Sequence, residues 1–253
     1  MIQMIITDLD NTLIRSDRSI SDYTVNVLEK CRAKGIKIVY ATARSKQAAS
    51  RFFDRFTPDI FIGYGGALIL AGETVIHRFD IPADISAQLI EKCLRASEIS
   101  RIHATNEAVA HTNIIDPLDT ETTHYQCVDF SSNKNISYLK ISLTASTPAV
   151  VEGIAFDFPM LDVLRYTGED LYRLANRDAT KWNAVKTIGT YLGISTENFV
   201  AFGDDVNDVE MIKNCGIGVA VENAIDEVRA VANCICGGND NDGIAKWLEE
   251  NVL

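Results

Sequence analysis

The 253-residue sequence contains no run of about 18 or more apolar residues, which excludes a membrane-spanning helix. No basic stretch followed by an apolar core precedes Asp8 and Asp10, so a cytoplasmic protein without a secretory leader is expected. Positive charge is scarce, with 24 Lys and Arg against 35 Asp and Glu and a formal net charge of −11. Nucleic acid and anionic membranes both need a basic footprint, so neither is expected as a partner. Any anionic ligand must then be held by local charge. No C-x-x-C pair occurs among the six cysteines, Cys31, Cys93, Cys127, Cys215, Cys234 and Cys236. They read as reduced core thiols, and Cys234-x-Cys236 lacks the second pair that a zinc site would need. Repeats, low-complexity tracts and long linkers are also missing.

What is present is a large apolar fraction, 47%, enough for a sizeable core. Its rhythm is that of a parallel α/β protein. An apolar run at 4–7 is followed by a helix opened by Ser21-Asp22 and closed by Gly35, a strand at 36–40, a helix from Ser45 to Asp54 and a strand at 59–62. Residues 67–70 and 74–79 read as a β-hairpin around Ala71-Gly72-Glu73. From about Pro82 the rhythm changes to a helix at 84–96, strands at 101–105, 108–112 and 138–143, a helix at 148–155, and strands at 162–166 and 171–175. The α/β alternation resumes at Lys181, with a helix to Leu192, strands at 199–202, 216–221 and 233–236, and helices from Asn207, Ala224 and Asp242. A Rossmann-like, doubly wound parallel sheet core (1–81 and 175–253) is therefore expected, with an α+β module inserted at 82–174.

Four segments carry the chemistry: Asp8-Leu9-Asp10, Ala41-Thr42-Ala43-Arg44, Lys181 and Gly203-Asp204-Asp205-Val206-Asn207-Asp208. The first directly follows a buried-type strand, at the end where open α/β sheets bind ligands. Two ionised carboxylates about 4 Å apart repel by roughly 4 kcal/mol at an effective dielectric near 20. Gathering Asp8, Asp10, Asp204 and Asp208 therefore calls for a hard divalent cation, and an all-oxygen set with few protein ligands describes Mg²⁺ better than Ca²⁺. A Ca²⁺-binding EF-hand loop fails on sequence: Leu13 and Ser19, counted from Asp8, or Val209 and Cys215, counted from Asp204, stand where Gly and Glu are needed.

Phosphate-monoester hydrolysis requires an enzyme to supply more than about 20 kcal/mol, and a carboxylate nucleophile divides that barrier by forming an aspartyl-phosphate. Asp8 is read as the nucleophile and a metal ligand, and Asp10 as the acid and base. Thr42 and the Ala43 amide would donate to phosphate oxygens, and Lys181 would reach the phosphoryl group. Asp204 would be a further metal carboxylate, Asn207 a phosphate or nucleophile contact, and Asp208 a residue orienting the metal's waters. Arg44 fits either an anion contact or a surface salt bridge.

With these residues in view, the chain resembles the haloacid dehalogenase superfamily, specifically the Cof-type phosphatases with an inserted α/β cap. Asp8-Leu9-Asp10-Asn11-Thr12-Leu13 is similar to D-x-D-G-T-L, and Gly203-Asp204-Asp205-Val206-Asn207-Asp208 to G-D-x-x-N-D. Gly218-Val219-Ala220, Asn223-Ala224 and Asp242-Gly243 resemble the family's C-terminal stretch. The resemblance implies Mg²⁺-dependent hydrolysis through an aspartyl-phosphate, and the expected protein is a monomer or small homo-oligomer acting on small phosphorylated metabolites. It also implies that Asp10 meets the metal through its backbone carbonyl, and that the cap sets specificity. Candidates there are Arg101, His103, His111 and His124, each of which also suits a structural role. Asn11 and Ala43 depart from the usual glycines, Gly65 from an Asn, and Asp178 and Trp182 from frequent glycines. Two other readings share these groups: a phosphomutase with the same site, and a phosphate-responsive signalling module. A third is a catalytically silent binding protein.

Overall fold

Strand β1 (Met4–Thr7) is buried along its whole length, as befits a strand covered on both faces of a parallel sheet. It pairs in parallel with β2 (Lys37–Ala41) on one side and β12 (Phe199–Gly203) on the other. The computed structural model describes residues 1–114, 125–132, 135–165 and 170–253. Beyond β2 lie β3 (Ile60–Gly63), β4 (Leu68–Ala71) and β5 (Thr74–Arg78). Beyond β12 lie β13 (Ile217–Val221) and β14 (Cys234–Cys236). The resulting eight-stranded order is β14-β13-β12-β1-β2-β3-β4-β5. Connections run outward from β1 in one direction and outward from β12 in the other, so the topological switch lies between these two strands. That is where a doubly wound sheet opens a crevice at its carboxyl edge.

The helices begin where the sequence carries caps. Ser21 accepts from the Thr24 amide ahead of α1 (Asp22–Ala33), and Ser45 from the Ala48 amide ahead of α2 (Lys46–Phe53). Thr180 likewise caps α5 (Lys181–Leu192) through the Asn183 amide, and Gly193 ends that helix in the left-handed conformation. The helix expected from Asn207 is displaced: a tight turn at Val206–Asp208 precedes α6 (Val209–Asn214), because the Asp208 side chain is bonded back to the start of the turn. Two further helices, α7 (Asp226–Val231) and α8 (Gly243–Asn251), complete this part.

The chain divides into two units, Met1–His77 with Thr180–Leu253, and Arg78–Ala179. The division falls outside the 82–174 boundaries read from sequence because backbone bonds hold the flanks to the second unit. Ile81 exchanges hydrogen bonds with Tyr138, and Asn176 still pairs with Leu161 while its side chain donates to the Asp80 carbonyl. The second unit packs α3 (Ala83–Arg95) and α4 (Pro148–Phe156) on a sheet. Its strands are β6 (Ile99–Thr105), β7 (Ala110–Thr112), β8 (Gln126–Cys127), β9 (Lys140–Ala145), β10 (Leu161–Arg165) and β11 (Leu171–Asn176), ordered β10-β11-β9-β6-β7-β8. His111 is buried with its Nδ1 2.7 Å from the Tyr138 hydroxyl, a core position. His124 and Tyr166 lie outside the described residues.

Strand β8 has no counterpart in the sequence reading: two exposed residues carry no periodicity. It also corrects the cysteine reading, since Cys127 on this short strand is exposed and Cys234 is half-buried, whereas Cys31, Cys93, Cys215 and Cys236 are core. Among the described residues no helix is long and apolar enough to cross a membrane.

Candidate active site

Asp8, Thr42 and Asp204 each follow the last residue of a parallel strand, β1, β2 and β12, so the sheet delivers all three to one edge. Lys181 reaches the same place from the first turn of α5. A cation at a helix N-terminus opposes the helix dipole, and its location is explained by its partners. Its Nζ donates to Asp8 Oδ1 and to Asp208 Oδ1, both at 2.6 Å, with all three side chains buried. The other oxygen of Asp208 accepts from the Asp204 and Asp205 amides at 3.1 and 3.2 Å. Asp208 thus fastens the turn after β12 to Lys181. Gly203 is required here, because a Cβ would sit 2.5 Å from the Asp208 Cβ.

Ligand oxygens of Asp8, Asp204 and Asp208 lie within 4.8 Å of one another. Among the described residues, the Lys181 ammonium alone is bonded to these carboxylates. Burial, with Asp208 and Asp204 adding repulsion that Lys181 only partly offsets, pushes the Asp8 carboxyl up to about 8. Burial and Asp208 likewise push Asp204 up to about 6, against the hydrogen bond from Thr12. Desolvation opposes the charge on Lys181, but Asp208 and Asp8 outweigh it and raise its pKa. The set is therefore short of positive charge. A hard divalent cation fits it: the donors are all carboxylate oxygens, and such a charge would favour their ionised forms.

This has a consequence for stability. Carboxyls whose folded pKa values are raised stabilise the fold below the unfolded value of about 3.9, and that contribution is lost as pH rises through about 6 and about 8. The metal-free protein should lose stability from pH 5 to 8, and Mg²⁺ should restore it. At about 100-fold over its dissociation constant, Mg²⁺ is expected to raise the melting temperature by about 5–10 °C at pH 8, and by less than half as much at pH 5.5. Differential scanning calorimetry checks this; equal shifts at both pH values would remove these carboxylates from the metal site.

Asp10 is not in that cluster. Its carboxylate is held by Arg44 through two bonds, Nε to Oδ2 at 2.7 Å and Nη2 to Oδ1 at 2.5 Å, with the Asp10 side chain half-exposed. Of the two readings left open for Arg44, this geometry is the salt bridge. Thr42 is fully buried and its hydroxyl accepts from the Arg44 amide at 3.1 Å. Ala43 is exposed and Asn207 half-buried in the turn after β12.

Several departures from the family pattern find a physical reason. Asn11, where the family has glycine, adopts φ 56°, a left-handed conformation that Asn tolerates better than most residues. Gly65 also has positive φ, and its amide donates to the Thr42 carbonyl. Trp182 is half-buried with the Lys186 ammonium 5.6 Å above its ring.

Three side chains were quoted in the motifs without a role. Thr12 donates to Asp204 Oδ1 at 2.5 Å. Asn223 donates to the Asn11 carbonyl at 2.7 Å while accepting from the Asn239 amide. Asp242 accepts from Ser21, Thr24 and Arg15, anchoring the segment after the Asp8 turn. The hydroxyl, amide and acid types were the available signal; their partners are distant in sequence and lay beyond it.

Residues 5–248 match the haloacid dehalogenase-like hydrolases. The chain is 28% identical, over 99% of its length and 98% of the relative's, to a Haemophilus influenzae protein provisionally named a phosphatase. It is 25% identical, over 98% and 96%, to the 5-amino-6-(5-phospho-D-ribitylamino)uracil phosphatase YitU of Bacillus subtilis. Its fold is that of the solved subclass IIB sugar phosphatase BT4131, with a TM-score of 0.81, 24% identity and 98% of each chain covered. With a nearly full-length family match and phosphatase-named relatives of the same length, the chain belongs to the haloacid dehalogenase-like hydrolases.

Proposed function

We propose that the protein is a Mg²⁺-dependent phosphatase that hydrolyses small phosphorylated metabolites, sugar phosphates or similar, through an aspartyl-phosphate on Asp8. The observation that carries this reading is the buried Asp8 carboxylate bonded to Lys181 beside Asp204 and Asp208. Lys181 commits Oδ1 of Asp8, and the other oxygen makes no hydrogen bond among the described residues. That oxygen attacks phosphorus as the ester P–O bond breaks. Asp10 gives its proton to the departing alcohol, then takes one from the water that cleaves the Asp8–phosphate bond and regenerates the carboxylate. Asp8, Asp204 and the Asp10 carbonyl would hold Mg²⁺, with Asp208 orienting its waters, and the ion would supply charge stabilisation to the phosphoryl oxygens.

The Arg44 guanidinium occupies both carboxylate oxygens of Asp10. The acid role therefore requires Arg44 to move from Asp10 to the incoming phosphate, where the Thr42 hydroxyl, the Ala43 amide and Asn207 would add hydrogen bonds. Residues 82–174 form the cap in this reading, with Arg101 and His103 as candidates for setting specificity. A cytoplasmic location, a monomer or small homo-oligomer, and the absence of nucleic acid or membrane partners complete it, in keeping with the net charge of −11.

Free phosphate released from a panel of phosphorylated metabolites, with and without Mg²⁺, tests the function. Transfer of the phosphoryl group back to substrate without release would instead identify a mutase. Asp10→Asn is expected to lower kcat by about 10²–10⁴-fold while a phosphate analogue such as vanadate still binds. Unchanged kcat would remove Asp10 from proton transfer.

A further inference from the structure

Between β3 and β4 the chain turns through three successive left-handed residues, Tyr64 at φ 54°, Gly65 at 73° and Gly66 at 115°. Glycine enters this region freely, whereas a bulky aromatic residue there is a strained outlier. Tyr64 is nonetheless held in it and buried. Strain of this kind persists where the surrounding contacts over-determine the backbone, and it gathers at functional sites. Here the contacts lie on two sides.

One side of the turn holds the loop after β2. The Tyr64 amide donates to the Arg44 carbonyl at 2.9 Å, and the Gly65 amide to the Thr42 carbonyl at 3.0 Å. The other side is pressed against the start of α5. A Cβ on Gly66 would stand 2.2 Å from the Thr180 carbonyl oxygen and 2.8 Å from the Lys181 amide nitrogen, so the two backbones meet directly. Thr180 is itself fixed to the helix: its carbonyl accepts from the Ala184 amide at 3.0 Å and its hydroxyl from the Asn183 amide at 3.1 Å. The turn is thus a spacer of main chain, running from the Thr42 loop to the peptide that carries Lys181. All of these residues belong to the first unit.

We propose that Tyr64–Gly66 is a positioning element, with Gly66 its decisive residue: it sets the spacing between Thr42 and Lys181, so that both serve one phosphoryl group. The proposal rests on the roles given to Thr42 and Lys181 in the phosphatase reading. Gly66 acts through Lys181, whose ammonium is already committed to Asp8 and Asp208 at 2.6 Å and has little slack. With an added methyl, the turn or the Thr180–Lys181 peptide must yield by roughly 1 Å to restore ordinary contact. A shift of that size in a catalytic group costs about 10²-fold in rate.

The comparison of Gly66→Ala with Gly193→Ala tests it. Gly193 ends the same helix at φ 68°, where a Cβ would meet open space among the described residues. Both variants force alanine into a left-handed conformation beside α5, and both should melt below the parent, but only Gly66→Ala collides with the Lys181 peptide. In Mg²⁺, Gly66→Ala should lower kcat for phosphate release by about 10²-fold while KM moves by less than about fivefold. Gly193→Ala should keep kcat within about twofold of the parent. Amide hydrogen exchange on the parent protein reads the same element without a substitution or an assay of activity, and decides the matter if Gly66→Ala does not fold. The Gly65 amide on Thr42 and the Ala184 amide on Thr180 should open together, with protection within about threefold of each other. Equal kcat in the two folded variants, or protection of these two amides differing by more than about tenfold, would overturn the proposal. Absence of phosphate release from the parent would instead refute the phosphatase reading, and exchange would still decide whether the turn and the start of α5 move as one.

Discussion

Asp8→Asn is expected to lower kcat for phosphate release by about 10⁵–10⁶-fold, the scale seen when a covalent nucleophile is removed. The substitution is nearly isosteric, and the amide oxygen can still accept from Lys181 in place of Oδ1. What is lost is a charged oxygen able to form the phosphoryl ester. Stability should move the other way. Burial and two neighbouring acids disfavour the Asp8 carboxylate, so a neutral amide relieves repulsion once the carboxyl would otherwise ionise. In EDTA at pH 8.5 the variant should melt at or above the parent protein, while its Mg²⁺ affinity falls. Loss of activity with retained stability separates a chemical role from a structural one. Wild-type kcat in Asp8→Asn would refute the nucleophile.

Lys181→Met should damage both properties. The ammonium is the sole cation bonded to Asp8 and Asp208 among the described residues, and its removal leaves two buried carboxylates facing each other. Breaking one partner out of a buried ion pair costs about 3–5 kcal/mol, which for a chain of this length corresponds to roughly 10 °C in melting temperature. Turnover should fall by about 10²–10³-fold as a donor to the transferring charge disappears. Adding Asp208→Asn to Lys181→Met should recover part of the stability, because one unpaired charge is removed, but none of the activity. Double-mutant calorimetry with parallel kinetics checks this. If Lys181→Met melts within 2–3 °C of the parent, about 1 kcal/mol, the buried bridge is not what holds the turn.

Much of this was legible along the chain. The caps Ser21 and Ser45 precede helices within a few residues, and a cap is satisfied by an amide of its own helix, so local reading suffices. The parallel core followed from apolar runs spaced by helical stretches. The strand ends carrying Asp8, Thr42 and Asp204 were likewise visible, since each follows an uninterrupted buried run. Less legible were Arg44 and the second unit's edges. Arg44 suited two roles until its guanidinium was found on Asp10, and Ile81 and Asn176 looked peripheral until their backbone partners appeared.

Sequence by itself determined which chemistry was available. Carboxylates, a hydroxyl and a lysine stand at the termini of strands and a helix whose formation depends on neighbours only a few residues away. Tertiary structure alone decided how those groups divide their work. It bonds Lys181 to Asp8 and Asp208, separated by 173 and 27 residues, turns Asp10 toward Arg44, and raises Asp8 and Asp204 by withdrawing water. Desolvation and through-space charge depend on distances between segments remote along the chain, and no local pattern encodes those distances.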